Sequence, residues 1–556
     1  MTSIRKSTLT AAAMMIAAVV SFSSCGSKPV PQTMVNPLTY TDIPDNDYIR
    51  VGDTYYMIST TMYFCPGAPI MKSKDLVHWQ IVNYIYDFIE DDDFYNLRDG
   101  KNAYGKGQWA TTLRYENGTY YALFICNEQG EKSYVFRTDD IENGKWVRNE
   151  LPKKFHDASL LFDNDGRVYV VYGNTNIYIT ELEPDLTDLK AGGVKDQLLI
   201  SYPNEGYNLK GEGAHIYHIG DYYYILLIDW PRDPGCRTET CWRSKDLLGP
   251  YESKIVLQGK FDGRNDGVAQ GAIVETQYGD WYAIMFQDHG GVGRIPTLQP
   301  VTWVEDWPIM GDNTVPMKEV TINLTAEGED YVWANDEFDS DKLALVWQWN
   351  HKPVNEAWSL TERPGWMRLH SASVVPDITK ARNTLTQRTV GPNCLSEVLL
   401  DASALQAGDR AGLCAFQSNN FCVGVEVAED GSKVLAIREN RRGTRIIPGA
   451  KRVEGRRPPM ERYEINEVVY SEPLQNDKVW LKIDFAFNPA DGSAAEPDMA
   501  TASWSYDGEN WQTTDYSLKM SFSLDFFTGY RPALYCYSTI AEGGYADFDY
   551  FHQVAY

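Results

Sequence analysis

Three acidic stretches carry the residue types that acid–base chemistry needs: Asp42-Ile-Pro-Asp45-Asn-Asp47, Phe155-His-Asp157-Ala-Ser159 and Lys210-Gly-Glu212-Gly-Ala-His215. Among 77 Asp and Glu residues a single carboxylate is by default a solvated surface charge, so position has to discriminate. Each of these stretches directly precedes a repeated aromatic hairpin. Glycines on both sides of Glu212 leave room for a ligand to approach the backbone, and no salt-bridge partner adjoins it, which favours a carboxyl that keeps its proton. A neutral acid that protonates a leaving oxygen, paired with a charged base that activates water, is the combination that cleavage of a glycosidic bond requires.

The hairpins that would position these acids recur five times: Ile49-Arg-Val-Gly52-Asp-Thr-Tyr-Tyr, Arg114-Tyr-Glu-Asn-Gly118-Thr-Tyr-Tyr, Leu161-Phe-Asp-Asn-Asp-Gly166-Arg-Val-Tyr, Tyr217-His-Ile-Gly220-Asp-Tyr-Tyr-Tyr and Thr276-Gln-Tyr-Gly279-Asp-Trp-Tyr. Gly beside Asn or Asp between β-rich runs is a strong hairpin signal, because these residues accept the positive φ of a tight turn. Repetition at about 50 to 60 residues predicts a five-bladed β-propeller whose innermost strands line a central cavity. Ser73-Lys-Asp-Leu-Val-His-Trp79 and Ser244-Lys-Asp-Leu-Leu-Gly-Pro-Tyr251 read as one outer-strand element in two blades. A sandwich with coincidental hairpins is the competing architecture.

The propeller is assigned to residues 36–325, because the pattern changes after the Trp307-Pro-Ile-Met run. Residues 333–556 alternate apolar and polar positions with Asp-Gly turns, which predicts an all-β fold ending in a lectin-like β-sandwich. Asp336-Glu-Phe-Asp339 and Ala546-Asp-Phe-Asp-Tyr-Phe551 suggest paired terminal strands. No long flexible linker separates the two parts. The sandwich is therefore expected to pack on the propeller and shape the pocket rim, in preference to acting as an independent carbohydrate-binding module.

At the start of the chain, Arg5 and Lys6 precede an apolar run from Leu9 to Val20 that is too short to span a bilayer. Residues 1–25 read as a signal peptide ending in a Cys25 that resembles a bacterial lipobox, with 26–35 as a tether. This implies an exported protein anchored through lipid to the outer membrane. The acid-free tether points to its periplasmic side. The formal charge of −26 repels phosphate backbones and argues against nucleic acid as a partner. Cys65, Cys126, Cys236, Cys241, Cys394, Cys414, Cys422 and Cys536 show no metal spacing and are expected to be mostly free buried thiols, although Cys236 and Cys241 could bridge locally.

The ordered motifs resemble glycoside hydrolase family 43 over roughly residues 36–325, and the C-terminal region resembles the sandwich of its β-xylosidase and arabinofuranosidase branch. The resemblance is carried by Ile43-Pro-Asp45, Pro66-Gly-Ala-Pro-Ile, Gln108-Trp109-Ala110, Asp157-Ala-Ser-Leu, Glu212-Gly and Phe286-Gln-Asp-His-Gly-Gly-Val-Gly-Arg-Ile-Pro296. It implies Asp45 as general base, Glu212 as general acid and Asp157 as the residue that raises the acid's pKa and orients it, in an inverting reaction. Trp109 would form a wall of the sugar pocket or pack in the core. Arg294 would bond sugar hydroxyls or make a structural salt bridge, and His215 would support the acid without reacting. Asn46 and Asp47 replace the usual Pro and Ser after the base, so Asp42 and Asp47 remain alternatives to Asp45. Thr111 and Ala214 also depart from the family pattern. Ala269 stands where relatives often carry a His that helps hold a central cation; no cofactor is required, and a structural calcium ion at the propeller centre is the one candidate.

The expected activity is release of terminal α-L-arabinofuranosyl residues from arabinoxylan or xyloglucan side chains. The alternatives are a β-D-xylosidase and a non-catalytic carbohydrate-binding lipoprotein.

Overall fold

The computed structural model describes residues 28–127, 130–261, 264, 266–447, 459–488 and 496–556. The signal segment and Cys25 lie outside the described residues.

Five four-stranded antiparallel sheets follow one another along the first half of the chain. From the inner to the outer strand, the first blade is Asp47–Val51, Thr54–Ile58, Gly67–Ser73 and Gln80–Tyr86. The inner strands of the other four are Thr112–Glu116, Ser159–Phe162, Tyr207–Ile219 and Ala269–Glu275. The last of these packs against the first blade's inner strand and closes the ring. Gln32–Val35 pairs with Glu319–Ile322, joining the two ends of the propeller. Each predicted hairpin connects the first two strands of a blade, and all five turn glycines have positive φ, from 61° at Gly220 to 88° at Gly279. Local residue type dictates this geometry, which only glycine adopts without steric cost.

The Ser-Lys-Asp-Leu echoes are not strands. They are the connections from the third to the fourth strand in the first and fourth blades. Their shared residues cap turns: Ser73 Oγ accepts the Leu76 N–H at 2.9 Å and Asp75 Oδ1 those of Val77 and His78, while Ser244 Oγ accepts that of Asp246 at 3.1 Å. Short hydroxyl and carboxylate side chains favour such local bonds over a ladder.

The second half is a β-sandwich of an eight-stranded and a seven-stranded sheet. Trp347, Phe421, Leu481, Phe485 and Trp504 fill the space between them, and Val292 and Ile295 of the propeller lie in the same buried cluster. Two further contacts fuse the halves. Phe64–Cys65, a short strand in a first-blade loop, pairs with Gln348–Asn350 and becomes the edge of the larger sandwich sheet. Arg264 reaches Asp498 at 3.1 Å. The terminal pairing is present: Asp336 and Phe551 exchange backbone hydrogen bonds of 2.9 and 2.8 Å. All eight described cysteines are free and buried, Cys236 and Cys241 included. Among the described residues no helix is long and apolar enough to cross a membrane.

Candidate active site

The three expected acids come from inner strands or their entries. Asp45 and Asp157 each stand two residues before an inner strand, in the left-handed region with φ of 50° and 47°. Aspartate tolerates that conformation better than most residues, and such positions concentrate where function requires them. Asp45 accepts a hydrogen bond from Thr60 Oγ1 at 2.8 Å and an ion pair from Arg294 Nη1 at 2.7 Å. Asp157 Oδ2 accepts the Gly213 N–H at 3.2 Å, which ties it to the residue after Glu212. Glu212 sits mid-strand, where the ladder slips register on both sides. Such bulges re-aim side chains.

The alternatives to Asp45 are engaged elsewhere. Asp42 accepts backbone N–H groups from Arg294 at 2.7 Å and from Gly529 of the sandwich at 2.9 Å, acting as a clasp between domains. Asp47 is paired with Arg114 at 2.7 Å and accepts the Leu113 N–H. His215 lies 3.8 Å from Asp47, and burial, reinforced by Arg114, lowers its pKa so that it stays neutral.

Two sequence expectations about Glu212 are overturned. The space beside its glycines belongs to side chains: a Cβ on Gly211 would sit 2.2 Å from the Tyr202 ring, and one on Gly213 2.8 Å from the Gln270 amide carbon. These glycines therefore let strand and side chains pack closely. Nor is the acid without a charged neighbour. His156 Nε2 lies 3.8 Å from Glu212 Oε2 and 3.6 Å from Asp157 Oδ2. Burial, reinforced by the charges of Glu212 and Asp45, pushes Asp157 up to about 7 against the pull of His156. His156 is itself raised to about 9: burial opposes the rise, but Asp157 and Glu212 outweigh it. Asn174 Nδ2 also donates to Glu212 Oε2.

Trp109 and Arg294 border the same space. The Trp109 ring is tilted 5.9 Å from His156 and 5.8 Å from Phe527, and Arg294 lies 4.7 Å from the Phe527 ring. Trp109 Nε1 and Arg294 Nε are buried donors with no acceptor. Buried donors left unpaired are uncommon, and a hydroxyl-rich ligand would satisfy them. Phe527, at φ 62°, comes from a sandwich loop, so both domains build the wall.

At the propeller axis a calcium ion would have to compete with the Arg114 guanidinium. Four of the oxygens there are bonded to Arg114: Nη1 donates to Asp47 Oδ2 and to Leu113 O, both at 2.7 Å, Nη2 to Ser159 Oγ at 2.7 Å, and Nε to Leu160 O at 2.9 Å, while Asp47 Oδ1 is buried without a hydrogen-bond partner. A hard cation would need those oxygens and would meet a fixed like charge. Ala269, buried at the start of the fifth blade's inner strand, offers no side-chain ligand atom. His156, Asp157 and Glu212 bring one donor atom each within 4.8 Å of one another, but the imidazole is already the cation of that group.

Carboxyl groups converging at a propeller centre, walled by an aromatic ring and a guanidinium with unsatisfied donors, define a glycoside hydrolase. Residues 34–308 match Glycosyl hydrolases family 43, and residues 335–553 match the beta xylosidase C-terminal Concanavalin A-like domain. A beta-xylosidase of Formosa agariphila is 30% identical over 93% of this chain and 90% of its own. A non-reducing end alpha-L-arabinofuranosidase of Bacteroides ovatus is 27% identical over 73% of this chain and 78% of its own. The structure of a bifunctional GH43-CE of Bacteroides eggerthii superposes with a TM-score of 0.83 at 39% identity, covering 95% of this chain and 64% of that one, so the present chain spans about two thirds of its length. The chain belongs to glycosyl hydrolase family 43.

Residues that sequence reasoning passed over are His156, Asn174 and Phe527. His156 adjoins Asp157 and was visible as a titratable neighbour. Asn174 ends a strand in a Gly-Asn turn, a weak signal. Nothing local marks Phe527.

Proposed function

We propose that the protein is an exo-acting, inverting pentosidase that removes single terminal sugars from xylose- or arabinose-containing oligosaccharides. The observation that carries this reading is the Asp45–Arg294 ion pair near enough to act on Asp157, which lies beside Glu212, with Phe527 closing the wall. Asp45, held in place by Thr60 and Arg294, serves as general base and takes a proton from the attacking water. Glu212 protonates the leaving oxygen. Its Oε2 is held by Asn174, while Oε1 makes no hydrogen bond or ion pair among the described residues and is free to face the leaving group. Asp157, pushed up by burial to about 7, lies beside the acid and orients it through the Gly213 amide. Inversion calls for base and acid about 6.5–9.5 Å apart with a water between. Arg294 and Trp109 would bond the hydroxyls of the terminal sugar.

β-D-xylosyl release is the first reading, because the relative aligned over nearly the whole chain carries that name, sandwich included. The α-L-arabinofuranosyl activity expected from sequence is the second, favoured by the Bacteroides ovatus relative. The test compares kcat/KM on 4-nitrophenyl β-D-xylopyranoside and α-L-arabinofuranoside, with Glu212→Gln as control. Preference for the xyloside, abolished in the control, supports the first reading, and preference for the arabinoside installs the second. Activity on neither, with tight sugar binding, would mean a binding protein.

A further inference from the structure

The geometry points to His156 as the positioning residue of the acid pair: one imidazole nitrogen stands almost equally between the Asp157 and Glu212 carboxyls and fixes their separation. The inference rests on the reading of Glu212 as general acid.

Several observations converge on it. His156 Nε2 lies 3.6 Å from Asp157 Oδ2 and 3.8 Å from Glu212 Oε2, so the same nitrogen faces one oxygen of each. The residue is anchored through its main chain. Its backbone carbonyl accepts the Gly173 N–H at 2.9 Å, and the tilted Trp109 ring stands 5.9 Å away. Gly173 precedes Asn174, so one hairpin anchors both groups that touch Glu212 Oε2. The charged groups facing the imidazole are Asp157 and Glu212, and Asp45 acts on Asp157. Lys154, on its own loop, bonds with its ammonium to Asn127 O and Oδ1 at 2.9 and 2.8 Å.

Two carboxyls in one buried site repel each other when both are ionised. An imidazolium between them balances one negative charge, so the trio is neutral overall when the two carboxyls share a single proton. That is the state a general acid needs before each turnover. Without the cation, Asp157 would hold its proton more tightly, and Glu212 would lose the contact that sets the direction of its side chain.

A merely structural role would affect every substrate alike; positioning of the acid would not. Leaving groups that depart unaided need no proton, whereas poor ones depend on the acid, whose contribution is typically about 10²–10⁴-fold. The full-length protein and its His156→Gln and His156→Phe variants would be assayed on the 2,4-dinitrophenyl and phenyl glycosides of the preferred pentose, across pH. The expected result is a loss of about 30-fold or more in kcat/KM on the phenyl glycoside against roughly threefold or less on the dinitrophenyl one. The alkaline limb of the kcat/KM profile should also move to higher pH. Equal losses on both substrates with an unmoved limb, or no loss on either, would overturn the proposal. Glu212→Gln separates the two levels. If it too spares the phenyl glycoside, the acid assignment itself fails; if it abolishes that activity while the His156 variants behave as wild type, only the role of His156 fails.

Discussion

Replacing Asp157 by Asn should flatten the pH dependence of stability while abolishing most activity. Burial, with the charges of Glu212 and Asp45, pushes Asp157 up to about 7. An acid raised above its unfolded value of about 3.9 keeps its proton longer in the native state, so native stability falls as pH rises from about 4 to 7. His156, raised to about 9, adds a loss of the same sign: its stabilising charge is complete below about 6.5 and vanishes as pH climbs through 9. Asparagine removes the first loss and weakens the second. It accepts left-handed φ, and its Oδ1 can still receive the Gly213 amide hydrogen. Between pH 5 and 8 the first loss spans about two pKa units, or roughly 3 kcal/mol at ~1.4 kcal/mol per unit. At ~2 °C per kcal/mol for a domain of this size, the wild-type Tm should drop about 6 °C further than the variant's over that interval. Thermal unfolding followed by circular dichroism at both pH values provides the measurement. Profiles parallel to within about 1 °C would refute the placement of a buried, shared proton at this pair.

Other perturbations probe the remaining parts of the site. Phe527→Ala should lower kcat/KM by about tenfold or more, mainly through KM, with Tm nearly unchanged because the ring is only half-buried; an unaltered KM would remove the sandwich from the pocket wall. Arg294→Gln should cost at least about thirtyfold in kcat/KM, since it leaves Asp45 buried without its ion pair, and wild-type kinetics in this variant would relegate the pair to structure. Prolonged EDTA treatment should leave activity and Tm unchanged because the Arg114 guanidinium already supplies a fixed positive charge to four oxygens there; loss of activity restored by calcium would contradict that account. The chain should titrate with eight thiols after denaturation if the N-terminal Cys25 is acylated, and a lower count would reveal a disulfide.

Sequence by itself determined the blades. A tight turn needs positive φ at one position, so Gly52, Gly118, Gly166, Gly220 and Gly279 announce their hairpins without reference to anything distant. The same locality made the acids findable, since Asp45 and Asp157 sit immediately before inner strands. It misled at the Ser-Lys-Asp-Leu echoes, where repeated residues cap a connection, and at Gly211 and Gly213, whose emptiness is filled by Tyr202 and Gln270 from other segments. Tertiary structure alone gives Asp42, Asp45 and Asp47 their different partners. Asp42 is taken by amides 252 and 487 residues away, and Asp47 by Arg114 from the next blade, which leaves Asp45 beside Arg294. It alone brought Phe527 from the sandwich to Trp109 and Arg294. Backbone conformation is a property of neighbouring residues and is written where it acts. The partner of a buried charge is chosen only when the ring closes and the second domain packs on it.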